Sequence, residues 1–181
     1  MMSASKAPIP LCSMTPSENK KWAPVNDVVM GGCSSSRFHV EEVQDDDSVA
    51  YAGMFKGYVT DENNGGFASV ARPITPEDSK VWIGYTGIQL KCRGDGKYYQ
   101  IKLRTSYKGV VTRYKFEFGP ASSEWNLITA LFSEFTATFR GRDILNAPAI
   151  DSQHIDEVGL LISKRQLGKF CLQVRDIQLI G

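Results

Sequence analysis

Histidine is nearly missing from this chain: His39 and His154 are the only two among 181 residues. Neither has a His or Cys neighbour at a ligand spacing, so an imidazole-centred triad and a zinc site have little support, and both histidines read as surface or hydrogen-bonded residues. Cysteine is sparse as well. Cys12, Cys33, Cys92 and Cys171 are widely scattered without a CxxC spacing, a pattern that suits free thiols in a reducing compartment better than a disulfide framework or a metal site. There is no P-loop and no dinucleotide fingerprint, which leaves nucleotide chemistry unsupported and calls for no cofactor. No apolar run approaches the roughly 18 residues that cross a bilayer, since Val158 to Ile162 is soon followed by Lys164 and Arg165. An excess of one charge is also lacking. Twenty-one basic residues face twenty acidic ones, a formal net charge of +1, so no global field draws the protein to nucleic acid or an anionic membrane, and any basic surface is local. Nucleic acid is therefore a partner that the composition does not favour. Residues Met1 to Lys21 hold Pro8, Pro10 and Pro16 and no arginine. They read as a flexible lead before a single domain over 22–181, and the prolines oppose the Arg-rich amphipathic helix of a mitochondrial presequence, which points to the cytoplasm.

What the chain does have is strand-like alternation. Ile88, Leu90 and Cys92 oppose Gln89, Lys91 and Arg93; Tyr99, Ile101 and Leu103 oppose Gln100, Lys102 and Arg104. That is the period of a half-buried strand. Gly94-Asp95-Gly96 between the two runs predicts a tight hairpin that makes them an antiparallel pair. Tyr114 to Phe118 and Phe170 to Ile180 alternate in the same way. Phe38 to Val43, Val49 to Tyr58, Phe67 to Val70, Trp125 to Leu131 and Val158 to Ser163 bring the expected total to roughly eight to ten strands. Turn-forming clusters at Asp45-Asp46-Asp47, Asn63-Asn64-Gly65-Gly66, Gly119-Pro120 and Asn146-Ala147-Pro148 separate them, and helix is expected to be scarce. The predicted class is all-β, a single-domain antiparallel β-sandwich.

The segment that carries most information precedes these strands. Trp22-Ala-Pro-Val-Asn26-Asp27-Val-Val-Met30-Gly31-Gly32-Cys-Ser34 sets an aromatic, an amide, an acid and paired glycines in one short stretch. Asn and Asp bond to nearby backbone, and the glycines open dihedrals closed to other residues, so a specifically folded loop is expected. Asn64-Gly65-Gly66-Phe67-Ala68-Ser69, Arg93-Gly94-Asp95-Gly96-Lys97-Tyr98-Tyr99, Trp125 before Leu131-Phe132-Ser133-Glu134-Phe135, Phe139-Arg140-Gly141-Arg142 and Gly168-Lys169-Phe170 follow in order. In that order, from about Trp22 to Ile180, the chain resembles the complex I intermediate-associated protein 30 (CIA30) family. The resemblance implies a galactose-binding-like jelly roll and a non-enzymatic, chaperone-like role in assembling respiratory complex I. It also implies protein partners among complex I subunits or assembly intermediates and a mitochondrial location, against the cytoplasmic reading of the lead. Other members in photosynthetic organisms are linked to other complexes and to messenger RNA, so fold is implied more firmly than partner.

The loop is the first expected partner-binding site: Trp22, Asn26, Asp27, Met30, Gly31, Gly32 and Ser34, with Arg72 carried over from the resemblance. Two readings of it are open. Trp22 and Met30 either grip a partner's exposed surface or pack into the sandwich while Asn26 and Asp27 staple the backbone. A second expected surface is a basic face of Lys91, Arg93, Lys102 and Arg104, joined by Arg113 and Lys115, which the hairpin register would gather to receive an acidic segment or a phosphate backbone. An ordinary solvated sheet face explains the same alternation. Asp45-Asp46-Asp47 reads as a solvated turn rather than a calcium loop, because consecutive acids on an extended chain point to opposite sides; no metal is expected. Arg93-Gly94-Asp95 reads as turn chemistry rather than an adhesion motif. A carbohydrate-binding module is the rival class, with Trp22, Tyr58, Trp82, Tyr85 and Trp125 as stacking faces. An enzyme using Asp61, Glu62, Asp95 or Asp151 ranks third, since no spacing brings two of these together across a scissile bond.

Overall fold

The computed structural model describes residues 5–25, 34–163 and 166–181. Within them the period-two segments become strands: β1 (Ile9–Ser13), β2 (Ala23–Pro24), β3 (Ser35–Asp45), β4 (Ser48–Val59), β5 (Phe67–Pro73), β6 (Gly87–Arg93), β7 (Tyr99–Tyr107), β8 (Val110–Phe118), β9 (Asn126–Leu131), β10 (Thr136–Phe139), β11 (Arg142–Asp143), β12 (Ile155–Ser163) and β13 (Gly168–Ile180). The one α-helical segment among the described residues is the four-residue α1 (Pro76–Ser79), capped by Thr75. One sheet runs β3-β4-β13-β6-β9, with β1 beside the later half of β13, and the other runs β11-β10-β8-β7-β12-β5-β2. The named strands pair antiparallel throughout. This is the expected antiparallel β-sandwich.

The apolar half of each alternation meets between the sheets. Phe55, Leu90 and Leu172 from one sheet and Ile101, Leu103 and Leu160 from the other are essentially fully buried. Phe55 stands edge-on to Phe170 with ring centroids 4.9 Å apart, the geometry that aromatic quadrupoles prefer. Burial also silences two of the thiols: it pushes Cys12 and Cys92 up to about 12, so both stay protonated and act as small apolar side chains.

Two expectations are corrected. The Asp-Gly turn does not make a hairpin. β6 pairs with β13 and β9, whereas β7 pairs with β8 and β12 in the other sheet. Both strands are one-sided, and their buried faces must oppose each other across the core, which side-by-side pairing would prevent. The segment between them is a corner instead. Gly96 has φ +85 there. Asp95 Oδ1 accepts from the Tyr99 hydroxyl at 2.9 Å and the Lys97 amide at 3.2 Å, and Oδ2 accepts from the Cys171 amide at 2.8 Å. One carboxylate thus ties β7 in one sheet to β13 in the other. Asp95→Ala is expected to cost about 1–3 kcal/mol, the penalty for stranding such donors, and urea unfolding measures it.

The second correction concerns the flexible lead. Ile9 to Ser13 pairs with Leu179 to Asp176 of β13, and Leu11, Cys12 and Met14 are buried. Their apolar side chains close one margin of the core, which a free tail would leave open to water. A 3₁₀ turn over Pro16–Lys20 follows, with Pro16 at its start.

Candidate functional site

Two anchored stems flank the signature segment. Its first stem is organised by Glu18, whose side chain is only 4 % exposed. Glu18 Oε2 accepts from Arg72 Nε at 2.8 Å and from the Trp22 indole nitrogen at 3.1 Å, while Oε1 accepts from Arg72 Nη2 at 3.1 Å and Lys21 Nζ at 3.0 Å. Burial by itself pushes the Glu18 carboxyl up. The hydrogen bonds and charges of Arg72 and Lys21 outweigh it and hold the group below the usual carboxylate range. Arg72 spends its remaining arm on the Pro73 carbonyl at 2.9 Å. Trp22, 6 % exposed, stacks on Phe38 of β3 with centroids 4.3 Å apart and an interplanar angle of 18°. The second stem starts at Ser34, which is buried. Its hydroxyl donates to the Thr60 carbonyl at 3.1 Å and accepts from the Thr60 amide at 3.1 Å.

Three of the expected contact residues are therefore interior groups. Trp22, Ser34 and Arg72 are buried at the stems, and the polar atoms named above are bonded inside the protein. Asn26, Asp27, Met30, Gly31 and Gly32 lie outside the described residues. Glu18, the centre of the anchor, was absent from the sequence reading. The signal that could have found it is Thr15-Pro16-Ser-Glu18, a helical start with proline in the first turn, followed by Trp22 four residues beyond the acid.

Directly after the second stem the chain enters a groove of about 780 Å³ on the outer face of the first sheet. Cross-strand register builds it. Ser35, Tyr58 and Lys169 form one row across β3, β4 and β13, and Arg37, Lys56 and Cys171 form the next. Asp95 and Lys97 of the corner close one end. Tyr58 is 49 % exposed and supplies an aromatic wall. Lys56 lies 3.7 Å from Glu41 and Lys97 lies 3.7 Å from Asp95, whereas Arg37 and Lys169 form no ion pair among the described residues. Four cations around one exposed ring suit an acidic segment that also brings apolar contact. Burial pushes the Cys171 thiol up, which disfavours the reactive thiolate.

The expected basic face does not exist as one surface. Lys91 and Arg93 lie on the first sheet, with Lys91 bonded to Asp45 at 2.8 Å and the Arg93 guanidinium 4.8 Å above the Trp125 ring. Lys102 and Arg104 lie on the other sheet. Arg104 is engaged by Asp156 at 2.7 Å and Glu157 at 3.1 Å, which leaves Lys102, Arg113 and Lys115 as neighbours. The cause is the corner at Asp95, which turns a presumed hairpin into a change of sheet.

The remaining candidates have local duties. Asp45 is buried and paired with Lys91 and Arg175, while Asp46 takes the positive φ of the turn into β4. Asp151 caps the turn at Gln153 and lies 3.4 Å from His154, whose ring packs on Tyr107. His39 pairs with Glu41. Of the aromatics considered for sugar stacking, Trp22 and Trp82 are buried, the Tyr85 ring has the Lys6 ammonium 5.2 Å away, and Trp125 underlies Arg93; Tyr58 is the one that stands exposed in a groove.

Comparison with known proteins places this architecture. The solved structures it matches include the family 11 carbohydrate-binding module of the cellulosomal cellulase Lic26A-Cel5E of Clostridium thermocellum, with TM-score 0.62 and 16 % identity over 89 % of this chain and 88 % of that one. A family 30 carbohydrate-binding module aligns with TM-score 0.61 and 10 % identity over 96 % of this chain and 87 % of that one. At those identities the likeness is one of fold. A curated relative, the uncharacterized protein C9E9.15 of Schizosaccharomyces pombe, is 28 % identical over 170 residues, 86 % of this chain and 76 % of its own length. The model of complex I intermediate-associated protein 30 matches residues 13–174, a span that takes in the signature segment with both its stems, the groove and most of both sheets, and the chain belongs to the CIA30 family.

Proposed function

We propose that this protein is a non-enzymatic binding protein that holds a subunit or assembly intermediate of respiratory complex I, at the end of the sandwich where the signature loop runs into the Tyr58 groove. The observation that carries the reading is the anchoring of the loop stems. Glu18, Arg72 and Trp22 on one side and Ser34 with Thr60 on the other commit buried polar groups to the two stems that flank the signature segment. Stems ordered in this way lower the entropy lost when a partner docks beside them. The family name supports the choice of partner, and Arg37, Lys56, Lys97 and Lys169 select an acidic face on it. Release needs no nucleotide, since a subunit with better contacts displaces the protein by mass action.

Affinity purification from native cells, followed by mass spectrometry, tests this. The intact protein is expected to recover complex I subunits, a variant with Asn26→Ala and Asp27→Ala to lose them, and Lys56→Glu with Lys169→Glu to lose them with retained folding. Unchanged recovery by both variants would remove the loop and the groove from the interface.

A second reading has one observation in its favour. A solved structure of the same fold is a family 11 module in complex with a β-1,3-1,4-mixed-linked tetrasaccharide, and Tyr58 offers an exposed ring for stacking. Retardation of the intact protein, but not of Tyr58→Ala, in a mixed-linkage glucan gel would establish that reading instead.

A further inference from the structure

The outer face of the second sheet carries an arrangement that stability does not explain. Lys102 of β7 stands directly opposite Lys115 of β8, and Arg104 opposite Arg113 two residues along. Like charges in register across an antiparallel pair repel and weaken the sheet. One of these pairs is relieved, because Asp156 and Glu157 take up Arg104. The other is not. Lys115 reaches Asp143 at 2.7 Å, an exposed partner, and Lys102 forms no ion pair among the described residues. Its neighbour on the other side is Gly159 of β12, which has no side chain to answer the charge. Burial, with Arg113 and Lys115 nearby, lowers the Lys102 ammonium from its ordinary value, and the Glu157 carboxylate offsets only part of this.

Lys102, Arg113 and Lys115 line a groove of about 530 Å³ with Phe139 and Arg140. Four cations line it and no carboxylate does. Phe139 is 60 % exposed, and the Arg140 guanidinium lies 5.3 Å from its ring centroid. The cationic stretch is short. Glu117, two residues beyond Lys115 on the same face of β8, and Glu157 opposite Arg104 bound it, so a long polyanion would run into acid at either end.

We propose that this groove binds a compact, phosphate-bearing small molecule with a planar ring, the chemistry of a nucleoside diphosphate, with Lys102, Arg113 and Lys115 on the phosphate oxygens and the ring against Phe139. The ligand supplies the direct anionic partner that Lys102 lacks, and Arg113 and Arg140 supply forked donors suited to phosphate. The site lies on the opposite sheet from the Tyr58 groove and stands or falls independently of the partner-binding reading.

Titration of the full chain with inorganic pyrophosphate and with adenosine diphosphate, at fixed ionic strength and followed by calorimetry, tests it. Both are expected to bind saturably at one site. Lys102→Gln is expected to weaken both by about tenfold or more, the loss of one charged hydrogen bond, with no loss of melting temperature because it relieves the Lys102–Lys115 repulsion. Phe139→Ala should weaken adenosine diphosphate and leave pyrophosphate unchanged, and Lys56→Gln on the other sheet should change neither. Absence of saturation, or equal affinity in Lys102→Gln, overturns the proposal. So does binding confined to anionic vesicles or to a single-stranded RNA oligonucleotide without binding of free pyrophosphate.

Discussion

Glu18→Ala is expected to destabilise the protein by about 3–5 kcal/mol, the range for removing one partner of a buried ion pair. The substitution leaves the Arg72 guanidinium, 9 % exposed, with a single remaining carbonyl partner at Pro73, and it strands the Trp22 indole N–H that the same carboxylate accepts. The loss should spread outward. Trp22 stacks on Phe38, so the first stem of the loop and the middle of β3 loosen together, and partner recovery should fall with stability. Replacing both members, Glu18→Leu with Arg72→Met, should cost much less than Glu18→Ala alone, because no charge is then left in the interior. Thermal and urea unfolding of the three proteins make the comparison. A loss below 1 kcal/mol or so for Glu18→Ala would mean that water reaches Arg72 freely.

Acid should reproduce part of this effect. The folded Glu18 carboxyl is held below the usual carboxylate range, so its contribution is fully present above the unfolded carboxyl's pKa and is lost as pH falls through the depressed folded value. A plot of melting temperature against pH should therefore drop steeply on the acid side, and Glu18→Gln should flatten that drop. An unaltered acid limb in Glu18→Gln would remove Glu18 from the account.

Gly57→Ala is the other large expected effect. A methyl built on Gly57 runs into the backbone carbonyl oxygen of Ser35 and lies 2.9 Å from the Ser36 Cα atom, and a main-chain obstacle cannot rotate away as a side chain would. The cost should be about 3 kcal/mol, the upper end for overpacking. It falls on one seam. Ser36 and Gly57 are paired in register, so β3 must move off β4, carrying Ser35 and Arg37 out of the groove. Faster amide exchange over Arg37 to Glu41, together with a lower melting temperature, is the expected signature. Gly141→Ala is the comparison: nothing stands within 4 Å of its added methyl, though its positive φ of +77 adds local strain. An unchanged melting temperature in Gly57→Ala would show that the two strands tolerate separation.

The sandwich was legible because its strands are one-sided. Ile88, Leu90 and Cys92, or Tyr99, Ile101 and Leu103, reveal a period of two within a few residues, and the core follows from those apolar sets. Pairing was less legible, since periodicity says which side of a strand is wet and not which strand lies beside it. Alternation alone therefore groups Lys91 and Arg93 with Lys102 and Arg104, although they stand on different sheets. The loop anchor was harder still. Glu18 and Arg72 are 54 residues apart, and no local pattern tells a buried acid in a Pro-rich lead from a solvated one. Both grooves depend on register between distant strands: Lys56 meets Cys171, and Lys102 meets Gly159.

The strand Gly168–Ile180 lies in the middle of its sheet, with Ser48–Val59 and Ile9–Ser13 along one side and Gly87–Arg93 along the other. A ribosome delivers it after all the strands it joins. Until then the nascent chain carries two sheet margins with unpaired amides and carbonyls and apolar faces turned to water, the features that recruit holdase chaperones and seed aggregation. The last strand to be made is thus the one that retires both margins at once, and a chain stalled before Gly168 would be the species most exposed to aggregation.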